Sequence, residues 1–340
     1  MTAPRLPRYF TSWLGVVVLG VVAALHTLGG LGLVSAGLAG WLAFVAVLLL
    51  ASRMVEGRRK STDRLAGALI TSAFGLALLP LVTLLWQVVS NGAPALSSTF
   101  FSNSMRNVVG EGGGIYHAAI GTLLVTGMAG VMSVPIGVLT AIYLVEYGHG
   151  RTARAITFLV DVMTGIPSIV AGLFAYAVFV LVFGEGVRLG FGGSVALSLL
   201  MIPLVVRSCE EMIKLVPNEL REAAYALGVS KWRTIVKVVV PTALAGIVTG
   251  ITIAVARVIG ETAPLLIIAG TTDSTNFDLF NGRIMTLPVF IYSQYKNPGI
   301  PAEFSLERAW GAALVLMLII MALNVLARLV SYYFSPKTKQ

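Results

Sequence analysis

Charge is scarce in this 340-residue chain: only 11% of its residues are Asp, Glu, Lys or Arg, against roughly 25% in an ordinary soluble domain. With 57% of residues hydrophobic, that deficit excludes a water-exposed globule and points to lipid as the solvent. Cysteine is nearly missing. Cys209 stands alone, which rules out an intrachain disulfide, a CxxC redox motif and a thiolate metal cluster. His26, His117 and His149 are too scattered for metal-ligand spacing, so no metal site is expected. The sequence contains no Gly-Lys pair, and so no G-x-x-x-x-G-K-[ST] phosphate loop. ATP binding by that device is excluded, and the chain is not expected to be an enzyme. Short repeats and low-complexity tracts are also absent.

What the chain does have is apolar runs, near 11 to 28, 34 to 51, 65 to 89, 116 to 145, 156 to 183, 194 to 213, 241 to 269 and 307 to 331. Each approaches or exceeds the ~20 residues that cross a bilayer. In lipid they must be helices, because unpaired backbone groups find no water there. The expected fold is therefore all-α and membrane-embedded, with eight spans. Leu28-Gly29-Gly30-Leu31-Gly32 joins the first two into a hairpin. Arg5 and Arg8 ahead of the run from Trp13 imitate a secretory leader, but no small-residue cleavage site is obvious, so this run is read as a retained span.

A formal charge of +9 can signal nucleic acid, but here the charge sits in loops between spans, so no nucleic-acid partner is expected. With the N-terminus in the cytoplasm, 18 of the 24 Lys and Arg residues are cytoplasmic, five are outside, and Arg257 lies within a span. That asymmetry sets the orientation of a multi-pass protein of the cytoplasmic membrane, with both termini cytosolic. The long outside loops, 90 to 115 and 270 to 306, are rich in Gly, Ser, Thr, Asn and Pro and suit an extracytoplasmic partner.

Between the sixth and seventh spans, Pro217 and Asn218 suit a helix start, Glu219 to Leu227 are strong helix formers, and Gly228 suits a C-terminal stop. Ser230 can cap a second short helix. Any amphipathic cytosolic loop could share this composition, but the spacing is more particular. Glu222-Ala223-Ala224 is followed by Gly228 and, nine residues on, by Val238-Val239-Val240-Pro241. This resembles the EAA loop of ABC importer permeases, with valine in place of Ile and Leu. The resemblance implies that Glu222, Ala223, Ala224 and Gly228 couple to a separate ATPase.

A charge in mid-span costs on the order of 3 kcal/mol even on lenient scales, which makes Arg257 a functional candidate. Glu261 follows four residues later, one turn on along the same face if the helix continues. The two can be a structural ion pair that fixes packing. Alternatively, Arg257 offers oxyanions a permanent charge and a planar fork of donors, while Glu261 restrains the fork so that binding stays weak. Thr262 adds a hydroxyl, and Gly260 and Pro264 would let the helix bend. In the fifth span, Gly165-Ile166-Pro167-Ser168 interrupts the helix; freed carbonyls and the Ser168 hydroxyl then line a pathway, or the break is a packing kink. Asp161 receives no role.

Ala256-Arg257-Val258-Ile259-Gly260-Glu261-Thr262-Ala263-Pro264-Leu265-Leu266 resembles the signature of PstA-type permeases of the high-affinity phosphate importer. In order along the chain, Gly121-Thr122-Leu123, Pro135, Ala141 to Tyr147, Gly165 to Phe174, Leu220 to Ala224 and Thr249-Gly250 agree with it. The resemblance implies a six-helix, type I (MetI-like) core over 65 to 335, with its coupling loop at about 214 to 241. Residues 1 to 64 then form an additional hairpin and basic linker, and 336 to 340 a cytosolic tail. It also implies partners: a PstC-type second permease, a PstB-type ATPase dimer carrying ATP and magnesium, a PstS-type phosphate-binding protein, and inorganic phosphate as substrate. No cofactor is expected in this chain. A permease for another oxyanion, and a secondary anion transporter driven by an ion gradient, are the alternatives.

Overall fold

The computed structural model describes residues 6–334 except 8 and 31. Every regular element among them is helical. In chain order these are α1 (Phe10–Thr27), α2 (Leu33–Glu56), α3 (Arg58–Gly92), the short α4 (Ser98–Ser102) and α5 (Tyr116–Ile142), which ends in a widened π-helical turn over Tyr143–Tyr147. Then follow α6 (Gly150–Thr164), α7 (Ser168–Phe183), α8 (Gly190–Lys214), α9 (Asn218–Ala226) and α10 (Lys231–Thr234). A second π-helical turn, Ile235–Val239, leads into α11 (Val240–Val258), and α12 (Ala263–Ile268), α13 (Leu287–Lys296) and α14 (Ala302–Phe334) complete the chain. Seven helical stretches among the described residues are long and apolar enough to cross a membrane, and the pair α6–α7 makes an eighth if its 108° bend lies within one span.

The chain divides into two compact units at Trp86 and Gln87, inside α3. In the first, α1 buries no residue, as suits a helix whose neighbours are lipid tails. Glu56 ties this unit together. Its carboxylate, 3% exposed, accepts from Arg64 at 2.6 and 2.9 Å, from Ser52 at 2.9 Å and from the Leu6 amide at 3.0 Å. Arg64 also donates to Thr11 at 3.2 Å. A buried carboxylate is tolerated because every nearby donor is aimed at it. Gly57, at φ +86°, turns the chain between α2 and α3 in a conformation that side chains resist.

The second unit is built on α5 against α8. Leu197, Met201, Val205 and Cys209 recur every fourth residue along α8 and are fully buried, forming the apolar stripe of a helix inside a bundle. Packing within a membrane depends on close approach and on interhelical hydrogen bonds rather than on escape from water. Accordingly, Ser194 Oγ donates to the Val125 carbonyl at 3.0 Å, tying α8 to α5. Gly121 lets α5 lie against the Met285 carbonyl, where any β-carbon would collide. The Leu287 amide donates to Thr122 Oγ1 at 2.7 Å and fixes the start of α13. Helix α11 packs beside α8, and α14 packs on α11 and α13, while α7 and α12 also lie against α8.

Arg308, at the start of α14, is only 7% exposed. It donates to the Gly110 and Gly112 carbonyls at 2.8 and 2.9 Å, to Gln294 at 3.2 Å and to Ser305 at 3.2 Å. Five planar donors spread over backbone and amide oxygens can satisfy a guanidinium without a carboxylate. Arg308 thus serves as an internal clamp on the segment before α5.

Candidate functional site

Two interrupted helices meet at the site. After Thr164 the chain turns tightly, with Gly165 and Ile166 amides donating to the Val162 and Met163 carbonyls at 3.1 and 3.2 Å. Pro167, at φ −59° and ψ 138°, cannot donate and pushes Ile166 away from helical geometry, so α7 restarts at Ser168 on a new axis. The second interruption divides the expected seventh span. Helix α11 stops at Val258, the Glu261 amide closes a tight turn on the Val258 carbonyl at 3.1 Å, and Pro264 opens the first turn of α12. Gly260 and Pro264 were expected to loosen a bend; together they end one helix and begin another.

The two breaks are packed face to face. A β-carbon on Gly172 would lie 2.5 Å from Pro264 Cα, so only glycine allows α7 to approach α12 this closely. On the α8 side, Gly193 sits against Leu265 and Ala269 at 3.0 and 3.1 Å on the same measure. Between the breaks and α8 lies a cleft of about 340 Å³, lined among others by Ser168, Pro203, Arg257 and Glu261. Pro203 is internal to α8 and leaves the Leu199 carbonyl without its helical donor.

Three of the four residues assigned to a substrate pathway, Arg257, Glu261 and Ser168, therefore border one cavity; Thr262, half-buried, is not among its lining residues. The expected one-turn pairing of Arg257 with Glu261 is not formed. It required a continuous helix, and the helix ends three residues before Glu261. Arg257 is exposed toward the cleft and takes part in no ion pair among the described residues. No carboxylate among the described residues pairs with its positive charge, in a setting where bare charge is costly.

The coupling segment forms the two short helices α9 and α10. At the end of α9 the Gly228 amide donates to Tyr225 at 2.9 Å and the Val229 amide to Ala224 at 3.1 Å, with Gly228 at φ +74°. This paired closure is the Schellman motif, which needs a left-handed residue at its centre. Glu222, Ala223 and Gly228 are exposed, whereas Ala224 is buried. The first three are available to a partner; Ala224 instead packs inward.

Two ion-pair networks brace this region, and sequence reading assigned neither. Arg221 donates to Glu146 Oε1 at 3.0 and 2.9 Å, to the Val216 carbonyl at 2.6 Å and to the Ile213 carbonyl at 3.1 Å. Both side chains are largely buried, so removing one partner would strand a charge at a cost on the order of 3–5 kcal/mol. The widened turn at Tyr143–Tyr147 places Glu146 on the side that meets α9. Arg207 pairs with Asp161 and, at 2.8 Å, with Glu210, which also accepts from Lys214 at 2.7 Å. Asp161 thus joins α6 to α8. Among the described residues no group of three or more His, Cys, Asp and Glu could hold a metal.

Residues 133–340 match the family described as binding-protein-dependent transport system inner membrane component. Over 278 residues the chain is 46% identical to the phosphate transport system permease protein PstA 1 of Mycobacterium tuberculosis (strain CDC 1551 / Oshkosh), covering 81% of this chain and 90% of that protein. It is 38% identical over 282 residues to the phosphate transport system permease protein PstA of Pasteurella multocida (strain Pm70), covering 83% of this chain and 97% of that one. Among solved structures, an inward-facing conformation of the MetNI methionine ABC transporter superposes with a TM-score of 0.51 at 18% identity, over 71% of this chain and all of that one. At that identity the likeness concerns the fold.

Proposed function

The chain belongs to the binding-protein-dependent transport system inner membrane components, and among them to the PstA phosphate transport permeases; on that premise we propose that its cleft passes inorganic phosphate across the cytoplasmic membrane, powered by ATP hydrolysed on a separate subunit. The observation that carries this reading is the uncompensated Arg257 at a cleft that also borders the first turn of α7. A planar guanidinium matches phosphate oxygens in pairs, and the first turn of a 16-residue helix offers unpaired amides and a positive dipole end. Glu261, which also borders the cleft, keeps the site from becoming a trap for anions. Ser168 adds a hydroxyl at the helix start.

In this reading the chain works beside a PstC-type permease, above a PstB-type ATPase dimer that holds ATP and magnesium, and receives phosphate from a PstS-type binding protein. It needs no cofactor of its own. Phosphate uptake by cells expressing the whole importer should persist when ionophores collapse ion gradients and stop when ATP is depleted. The reverse pattern would favour a gradient-driven carrier.

The orientation follows from the basic loops: α9, α10 and the turn at Gly57 face the cytosol. Cys209 is buried, so a Gly57→Cys variant can be probed with little background. An impermeant thiol reagent should label it only after the cells are opened, and labelling of intact cells would reverse the topology. Lys337, also assigned to the cytosol, lies outside the described residues.

A further inference from the structure

At the opposite end of α12 from the cleft, two arginines stand together around Gly270. The Leu189 amide donates to the Ile268 carbonyl at 3.0 Å and the Ile284 amide to the Ala269 carbonyl at 3.1 Å. These bonds dock the segment before α8 and the segment before α13 on the same turn, and so bring Arg188 and Arg283 beside Gly270. Measured from the position of a β-carbon on Gly270, Arg283 Cδ is at 3.4 Å and Arg188 Cδ at 3.5 Å.

Neither guanidinium has a carboxylate partner among the described residues. Arg188 lies over the Tyr176 ring, 4.6 Å from its centroid, and gives one donor to the Val187 carbonyl at 2.9 Å. Arg283 is exposed. The acidic residues of the adjoining loops, Glu185, Asp273 and Asp278, are all exposed, and Asp278 accepts from the Phe280 amide at 2.9 Å. Half-buried Thr271, Thr272, Ser274 and Thr275 follow Gly270 directly. The stems of both arginines lie beside Gly270, and two like charges on neighbouring stems raise the local positive potential, which favours an anion there.

In the proposed orientation this pair is at the far face of the membrane from α9 and α10. Arg188 precedes α8 and the coupling segment follows it, and the 25 residues of α8 span ~37 Å. Only eight residues separate Gly270 from Glu261, six of them the helix α12, ~9 Å long.

We propose that Arg188 and Arg283 form a second oxyanion station, which takes phosphate on the extracytoplasmic side and passes it along α12 to the Arg257 cleft. The proposal rests on the phosphate-permease reading. Spaced stations of one charge sign concentrate an anion at the entrance, and each binds weakly enough to release it.

The test uses the complete importer in proteoliposomes with phosphate-loaded binding protein, following phosphate uptake and ATP hydrolysis together. An Arg188→Gln, Arg283→Gln double variant should lower uptake about tenfold, the scale of a local field's effect on anion concentration, while the binding protein still stimulates ATP hydrolysis to within about twofold of the unaltered level. The corresponding double lysine variant should retain most uptake, since the field survives. Unchanged uptake in the glutamine variant overturns the proposal. So does a parallel loss of uptake and hydrolysis reversed by excess binding protein, which would mark a docking face. Should the double variant fail to assemble, Arg283→Gln alone, at an exposed side chain, decides the matter: a partial loss of uptake is expected, and an unchanged rate overturns the station. If the unaltered importer moves no phosphate, it is the functional reading that fails.

Discussion

Replacing Arg257 with glutamine is expected to abolish phosphate uptake, by two orders of magnitude or more, in an importer that still assembles. The reason is electrostatic. A phosphate dianion leaving water must be met by charge of opposite sign, and in a low-dielectric passage a neutral amide cannot supply it. The effect should fall on transport rather than on folding, because Arg257 is exposed and holds no ion pair among the described residues. Lysine keeps the field but loses the two-pronged geometry, so partial uptake in Arg257→Lys would show that charge outweighs shape. Glu261→Gln should have a smaller effect, since Glu261 adjusts the site without supplying its charge. The decisive measurement is uptake by the Arg257→Gln, Glu261→Gln double variant. A near-normal rate there would remove both residues from the pathway.

The second large effect is expected at the coupling loop. Gly228→Val should leave ATP hydrolysis by the partner subunit running while uptake drops at least tenfold. No atom lies within 4 Å of a β-carbon placed on Gly228, so a collision cannot be the cause. What valine cannot tolerate is the backbone, at φ +74°, where a β-branched side chain is strained by roughly 1–2 kcal/mol or more. That strain opposes the closure that ends α9 and sets the direction of α10. The ranking of substitutions tests the explanation. Asparagine enters the left-handed region readily, so Gly228→Asn should retain more uptake than Gly228→Ala, and alanine more than valine. Glu222→Arg reverses charge on the exposed face of the same helix and should uncouple without moving the backbone. If both Gly228→Val and Glu222→Arg transport normally, the loop does not couple to the ATPase.

Much of the fold was legible because lipid simplifies the code. Once backbone groups must pair internally, a long apolar run has only one structure available, and hydropathy finds it. The break at Pro167 was legible as an interruption, whereas the one at Gly260–Pro264 was legible only as a bend and misjudged in degree. Sequence does not say how far a chain turns once neighbours such as Gly172 and Pro264 can close on each other. The Arg257–Glu261 pairing illustrates this: a spacing of four residues means one face only where the helix is unbroken. Least legible were the bonds across the fold. Arg221 and Glu146 lie 75 positions apart and Arg207 and Asp161 46 apart, and no local pattern ties members of such pairs together. The same holds for Arg308, whose donors reach back 198 positions to Gly110. The buried state of Ala224 likewise depends on what α9 packs against rather than on its motif.

The bracing of α8 has a mechanical consequence. At one end Arg221 grips the Ile213 and Val216 carbonyls, and at the other the Leu189 and Phe191 amides are anchored to Ile268 and Leu279 at 3.0 and 2.7 Å. A helix held at both ends behaves as a strut, and a load applied to it appears as flexure wherever it is least stiff. Along α8 that point is Pro203, where one rung of the hydrogen-bond ladder is missing. Pro203 borders the cleft. If α9 and α10 receive thrust from an ATPase, as proposed, that thrust is spent as curvature beside Arg257, so that the strut's weakest section and the proposed chamber lie at the same depth.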